Sequence, residues 1–266
     1  MNKIKYMYCI SIDNGLFNKI SNLGYLPVGL GDTQFSDGWI TDKAGENISD
    51  KNKFYGEYTF HYYFWKNLLH KIPDNEWIGF CGYRRFWKKK TNLAKTFEDT
   101  VIKDIPEQWN NYDVIIGDQL SLEEIKWIKV LKYGKIAFFR NPKIILSKKY
   151  RNIRFQFDMF HGNGVLDKAI GQLNLNDRVK FSYFIRTQTS FNQGNMFVTK
   201  SKKIMNNYYK VLFDWLKKCE DIFGFNLDGY GKTRLYAFLA ERFLSYWFKD
   251  NTNYLEWPVI FHDLRK

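Results

Sequence analysis

Cysteine and proline are both scarce in this chain of 266 residues, which has three cysteines (Cys9, Cys81, Cys219) and five prolines. Three widely spaced cysteines argue against a disulfide framework and a cysteine-based zinc site, and they suit a reducing cytosol. No run of about 18 apolar residues occurs, so no segment is expected to span a bilayer. No signal peptide is expected either, because the apolar stretch after Lys3 and Lys5 ends at Asp13. Several catalytic signatures are missing. There is no phosphate loop of the Gly-x-x-x-x-Gly-Lys-Ser/Thr type, no Gly-x-Gly-x-x-Gly fingerprint and no Gly-x-Ser-x-Gly elbow. The four histidines lack zinc spacing. No Asp-x-Asp occurs, the pair with which many sugar-nucleotide transferases hold a divalent metal.

Acidic residues are also outnumbered. Against 28 Asp and Glu stand 41 Lys and Arg, a net charge of +13. Such a surplus calls for an anionic partner: nucleic acid, an anionic membrane surface or a phosphorylated ligand. Aromatic residues are abundant, at 19%. No repeat and no Gly/Ser/Pro linker divides the chain, so residues 1–266 are expected to form one domain.

Residues 5–12 are nearly continuously apolar and end at Asp13-Asn14-Gly15, the pattern of a buried strand and turn. Trp77–Cys81, Asp113–Gly117, Asn195–Thr199 and Pro258–Phe261 read as further strands. Residues 24–53 show no period and are expected to be a long ordered loop, a type that is usually functional. Tyr55–His70 reads as a helix. The second half is expected to be helical apart from the 195–199 strand, with apolar periodicity over 205–219 and 235–247. Strands alternating with helices point to an α/β fold with a largely parallel sheet.

Gly82-Tyr83-Arg84-Arg85 follows one of these strands. In open α/β sheets ligands lie beyond the carboxyl ends of strands, where two arginines suit a diphosphate. The plainer reading is a solvated basic turn leading to Lys88-Lys89-Lys90. Asn47, Asp50 and Asn52 lie in a polar segment that suits a substrate loop; equally, Ser49, Asp50 or Asn52 caps the following helix, and Glu57 complements that helix's dipole. Asn192 and Asn195 flank a turn where amides suit a hydroxyl-rich ligand, or where they simply turn the chain. Glu241, beside Arg242 and seven residues from Arg234, is either a reacting carboxylate or half of an internal ion pair. Finally, residues 125–157 carry ten Lys or Arg and no acid, with Trp127, Tyr133, Phe138, Phe139 and Tyr150 interleaved. That mixture suits a membrane interface or a nucleic acid, and it is also what a solvated basic face looks like.

The ordered set of segments resembles a bacterial glycosyltransferase family, long catalogued as a domain of unknown function, found in capsule and lipopolysaccharide gene clusters. The matching stretches are Gly45–Asn52, Glu57 with Tyr63–Asn67, Ile78–Phe86, Asn195–Val198 and Phe238–Phe243 followed by Trp247. Two departures are visible. The family carries His before Tyr-Arg-Arg, where this chain has Gly82, and the segment around 120–150 is longer and more basic here.

The resemblance implies a GT-A-like nucleotide-sugar fold with a mostly parallel central sheet and a helical carboxyl-terminal half. It also implies an inverting hexosyltransferase that moves a sugar from a nucleotide donor, UDP-galactofuranose or another UDP-hexose, to a surface polysaccharide or lipid-linked glycan. On this reading Tyr83, Arg84, Arg85, Asp50 and Asn52 bind the donor, and Asn192, Asn195 and Arg242 bind the acceptor. Glu241, with Asp158 next, takes the acceptor proton. Cationic side chains stand in for a metal, with Mg or Mn held by scattered carboxylates as the alternative. The enzyme is expected to be cytoplasmic and peripheral to the inner membrane, on anionic lipid, with no nucleic-acid partner. The rival readings are a non-enzymatic nucleic-acid-binding protein, for which no nucleic-acid-reading motif is recognisable, and a polysaccharide-binding module, which would need aromatic platforms but not an arginine pair beyond a strand end.

Overall fold

The computed structural model of the chain describes residues 3–90, 96–124, 144 and 147–266. These fall into two compact units that no linker sequence announces. One comprises Met1–Asp118, Gly194–Lys210 and Trp247–Lys266; the other comprises Gln119–Gln193 and Val211–Tyr246.

Eleven strands occur among the described residues: β1 (Tyr6–Ser11), β2 (Leu26–Gly29), β3 (Ile40–Thr41), β4 (Ile78–Gly82), β5 (Arg85–Trp87), β6 (Val114–Gly117), β7 (Gln119–Ser121), β8 (Ser190–Asn192), β9 (Phe197–Thr199), β10 (Tyr254–Trp257) and β11 (Val259–Phe261). The first unit is built on a sheet of order β10-β6-β9-β4-β1-β2-β3, with β5 and β11 attached beside β4. The β4-β1-β2-β3 block and the β10-β6 pair are parallel, and β9 lies antiparallel between β6 and β4. The fold is therefore mixed α/β with a mostly parallel central sheet, as expected.

The apolar run in β1 has a direct cause, since a parallel strand covered on both faces must be hydrophobic on both. On one face Tyr8 and Phe80 stack at 5.7 Å, with Phe64 at 5.2 and 5.1 Å from them and Phe197 at 5.2 Å from Phe80. On the other, Met7, Cys9 and Cys81 join a cluster holding Trp77, Trp87, Trp109 and Trp257. Each such ring buries on the order of 150–250 Å², roughly 4–6 kcal/mol of transfer free energy at about 25 cal/mol per Å². The high aromatic content thus goes largely into core.

Three expectations are corrected. Residues 24–53 are not all loop, because β2 and β3 lie within them. β2 contains Pro27, but β3 pairs only with Val28 and Gly29, so this proline sits where that ladder has not begun. The helix expected over 55–70 is broken. Gly56 (φ +54°) separates Asn52–Tyr55 from a helix at Tyr58–Tyr63, which widens into a π turn at Phe64–Leu68 and closes with a 3-10 turn at Leu69–Lys71. The second half holds two unexpected strands, β8 and β10, besides β9 and the final strand β11, which forms within the expected Pro258–Phe261.

The second unit is mainly helical. Helices Ile153–His161, Val165–Ile170 and Leu175–Thr187 accompany a two-stranded β7–β8 sheet. Phe181 packs edge-on against Trp215 and Phe243, and Trp215 Nε1 donates to the Ala169 carbonyl at 2.7 Å.

Candidate functional site

In the first unit the chain leaves β1 for β2 and β3 on one side and then returns to β4 on the other. This reversal places the switch point of the sheet between the carboxyl ends of β1 and β4, the position where open α/β sheets bind ligands. Asp13 follows β1, and Tyr83, Arg84 and Arg85 follow β4. The Tyr83 amide donates to the Ile10 carbonyl at 3.0 Å, which fixes the turn against β1. Tyr83 is buried, Arg85 half-buried and Arg84 exposed. Arg84 lies 5.0 Å from the Tyr83 ring centroid, and Arg265 lies 5.1 Å from it.

The segment bearing Arg265 is tied to this turn. The Leu264 amide donates to the Tyr83 carbonyl, the His262 amide donates to the Arg84 carbonyl, and Lys19 Nζ donates to the Leu264 carbonyl at 2.6 Å. Asp263 accepts from Arg265 Nε at 3.0 Å and Nη2 at 2.7 Å. Those hydrogen bonds, with a smaller contribution from Arg84, hold the Asp263 carboxyl well below the usual carboxylate range. Asp263 and Arg265 are site residues that the sequence reading missed; a single Asp-Leu-Arg triplet carries no signal until β5 and β11 pair beside it.

A second group of polar residues extends along the same carboxyl edge. Asn52 Nδ2 donates to the Gly56 carbonyl and to Thr59 Oγ1, both at 3.0 Å, and so secures the turn before the helix. Asp50 is exposed. Asp42, directly beyond β3, is completely buried, and neither carboxylate oxygen has a hydrogen-bond partner among the described residues. Burial pushes its carboxyl up, and nearby Thr59 draws it part of the way back. Glu57 Oε1 accepts from Asn195 Nδ2 at 3.0 Å. Asn195 occupies the left-handed region (φ +51°), as does Gly194 (φ +94°) before it. A Cβ on Gly194 would lie 3.3 Å from Arg85 Cδ, so the absent side chain lets Arg85 run across this turn. Beneath it His61 is fully buried, with Nδ1 2.8 Å from Tyr209 Oη. Burial pushes His61 down to about 3, which keeps it neutral.

Of the residues expected at the site, the first unit therefore brings together Tyr83, Arg84, Arg85 and Asn195, with Asp50 and Asn52 on the adjoining segment. Asp158, Asn192, Glu241 and Arg242 belong to the second unit. There Asp158 accepts from the Gly164 amide at 2.8 Å, which ties down the turn before the following helix. The backbone of Asn192 is held at both its N–H and its carbonyl by Ser245 Oγ. Glu241 pairs with Arg242, and Arg242, 2% exposed, also donates to Gln156 Oε1 at 2.9 Å and lies 4.2 Å from the Phe191 ring. Arg234 is exposed. The ion pair weighed for Glu241 thus forms, with Arg242. Burial lowers the Arg242 guanidinium and Glu241 raises it back.

Among the described residues no three His, Cys, Asp or Glu side chains converge. A groove of about 990 Å³ lined by Lys3, Lys5, Glu76, Trp77 and Lys200 opens at the amino ends of β1 and β4, the opposite edge from the arginine pair. The 125–143 and 145–146 parts of the basic stretch lie outside the described residues.

A mixed α/β fold with its polar residues along the carboxyl edge of a parallel block defines a class of ligand-binding domains rather than one protein. Within that class the chain belongs to the family described as Domain of unknown function (DUF4422), which matches residues 16–252. No curated protein matches the chain. Among solved structures, the chain is similar to an apo structure of the bifunctional glycosyltransferase WbbM, with a TM-score of 0.60 and 21% identity. The match covers 98% of this chain and 45% of that one, so this chain spans under half of that protein.

Proposed function

We propose that the chain is a GT-A-like glycosyltransferase that moves a hexose from a nucleotide-sugar donor to a glycan acceptor. The observation that carries the reading is the Tyr83-Arg84-Arg85 turn at the switch point between the carboxyl ends of β1 and β4. Charge develops on the departing diphosphate as the glycosidic bond to it breaks, and fixed guanidinium groups stabilise such charge while binding phosphate oxygens in pairs. The resemblance in fold to one part of a bifunctional glycosyltransferase supports the same reading. The donor is a UDP-hexose such as UDP-galactofuranose, the acceptor is a surface polysaccharide or lipid-linked glycan, and the displacement inverts the anomeric centre. The enzyme works on the cytoplasmic face of the inner membrane.

The test is donor binding and turnover in a double variant. A nucleotide-sugar at 100 times its dissociation constant adds about 2.7 kcal/mol of stability, enough to raise the melting temperature measurably. Arg84→Ala with Arg85→Ala removes this shift and lowers transfer by about 10²–10³-fold for each cation lost. The melting temperature of the unliganded protein changes little, because neither arginine is fully buried. Donor affinity at the wild-type level in the folded double variant refutes the assignment.

A further inference from the structure

An inverting transfer needs a group that takes the acceptor's proton, and the first unit contains a carboxylate suited to it. Asp263 is held by both donors of Arg265. Asp13 accepts from the Gly15 amide to cap a turn, Asp42 is sealed from solvent, and Asp50 is exposed in the polar segment. Glu57 differs from all four. It is half-buried, and among the described residues its carboxylate has no ion pair and one hydrogen-bond partner, the Asn195 amide at 3.0 Å. That partner is neutral, so the carboxylate is oriented without being neutralised.

The surroundings explain why the orientation is fixed. Asn195 is buried in a turn that requires a left-handed backbone, which Asn tolerates better than most residues. Its neighbour Gly194 lies under the Arg85 side chain. One two-residue turn thus meets both side chains, Asn195 holding the Glu57 carboxylate and Gly194 lying against Arg85; a displacement needs both a proton acceptor for the incoming oxygen and a cation for the leaving group.

We propose that Glu57 is the base of the transfer and that Asn195 is its positioning residue. The inference rests on the transferase reading above. A lone pair of the acceptor oxygen forms the bond to the anomeric carbon as the bond from that carbon to the diphosphate oxygen breaks. The electron pair of the broken bond leaves on the diphosphate, against Arg85, and the acceptor's proton passes to the Glu57 oxygen not engaged by Asn195.

The experiment uses the full chain and a panel of UDP-, GDP- and dTDP-sugars, with nucleotide release to water as the readout on whichever donor turns over fastest. Glu57→Gln retains a carbonyl that accepts from Asn195, so a purely structural Glu57 is replaced without loss. The proposal expects kcat to fall by about 10²–10⁴-fold, the range for a lost general base, with donor KM and UDP binding within twofold of wild type. Glu57→Asp retains part of the rate, and Asn195→Ala lowers kcat about tenfold at unchanged KM. A Glu57→Gln protein with wild-type kcat overturns the base assignment while the active wild type leaves the transferase reading standing. If Glu57→Gln does not fold, Glu57→Asp and Asn195→Ala decide: wild-type kcat in both overturns the proposal. A wild-type chain that neither binds nor releases any nucleotide of the panel overturns the transferase reading, and the role of Glu57 falls with it.

Discussion

Asp42 illustrates how a single residue can cost a fold stability. It follows β3, is completely buried, and lies near Thr59, whose hydroxyl already donates to the Gly56 carbonyl at 3.1 Å. Its charge is therefore desolvated with only partial compensation, and the raised carboxyl pKa expresses this. The sign follows from linkage. A carboxyl whose folded pKa exceeds its unfolded value binds its proton more tightly when folded, so the ionised form destabilises the fold above the raised pKa, and lowering the pH through that pKa relieves the penalty. Asp42→Asn is expected to melt higher than wild type at pH 7, with the difference shrinking as the pH falls towards the ordinary carboxylate range. Thermal melts of both proteins across pH 7 to 4 measure it; a difference that stays constant or grows on acidification refutes the assignment.

At the scale of one element, the helix Leu235–Asn251 carries a charge inside the second unit. Arg242 is buried against the Phe191 ring and held by Glu241 and Gln156. Breaking a buried pair by removing one partner typically costs about 3–5 kcal/mol, whereas replacing both partners with apolar groups costs far less. Glu241→Gln is expected to lose stability in this range by urea denaturation, and adding Arg242→Met to recover part of it. Wild-type stability with lost turnover in Glu241→Gln instead makes Glu241 part of the reaction. The sequence made this alternative visible because both charges lie on one apolar helix. Elements with long apolar runs were equally legible: β1, β4 and β6 and the helices over 205–219 and 235–247 all appear where the pattern places them. β3 was not, because two residues carry no period, and β2 was hidden by its proline. At the site, Arg84 and Arg85 stood out because they are adjacent and follow an apolar run. Glu57 and Asn195 lie 138 residues apart, and only the pairing of β9 beside β4 brings them to one turn.

For the molecule as a whole, the net charge of +13 and its concentration in residues 125–157 bear on where the chain works. Of the ten cations there, the four within the described residues are Lys148, Lys149, Arg151 and Arg154. Lys148 pairs with Glu124 at 2.6 Å and Arg154 with Asp167 at 2.6 Å, so two of the four are locally compensated. The other six, Lys126, Lys129, Lys132, Lys135, Arg140 and Lys143, interleaved in sequence with Trp127, Phe138 and Phe139, lie outside the described residues. No helix among the described residues is long and apolar enough to cross a membrane. Near an anionic leaflet each Lys or Arg contributes about 1 kcal/mol, so four in contact give useful affinity to a lipid-linked acceptor's membrane. We expect the chain to co-sediment with vesicles containing anionic lipid and not with neutral ones. Binding is expected to weaken steeply between 0.1 M and 1 M salt, as the Debye length falls from about 10 Å to about 3 Å. Replacing Lys126, Lys129, Lys132 and Lys135 by Glu is expected to abolish it while nucleotide release to water continues, since none of the four belongs to the first unit's site. Equal partitioning onto neutral and anionic vesicles, or none at low salt, leaves the stretch as a solvated basic face. Tight, salt-sensitive binding to RNA without binding to vesicles assigns the charge to a nucleic acid instead.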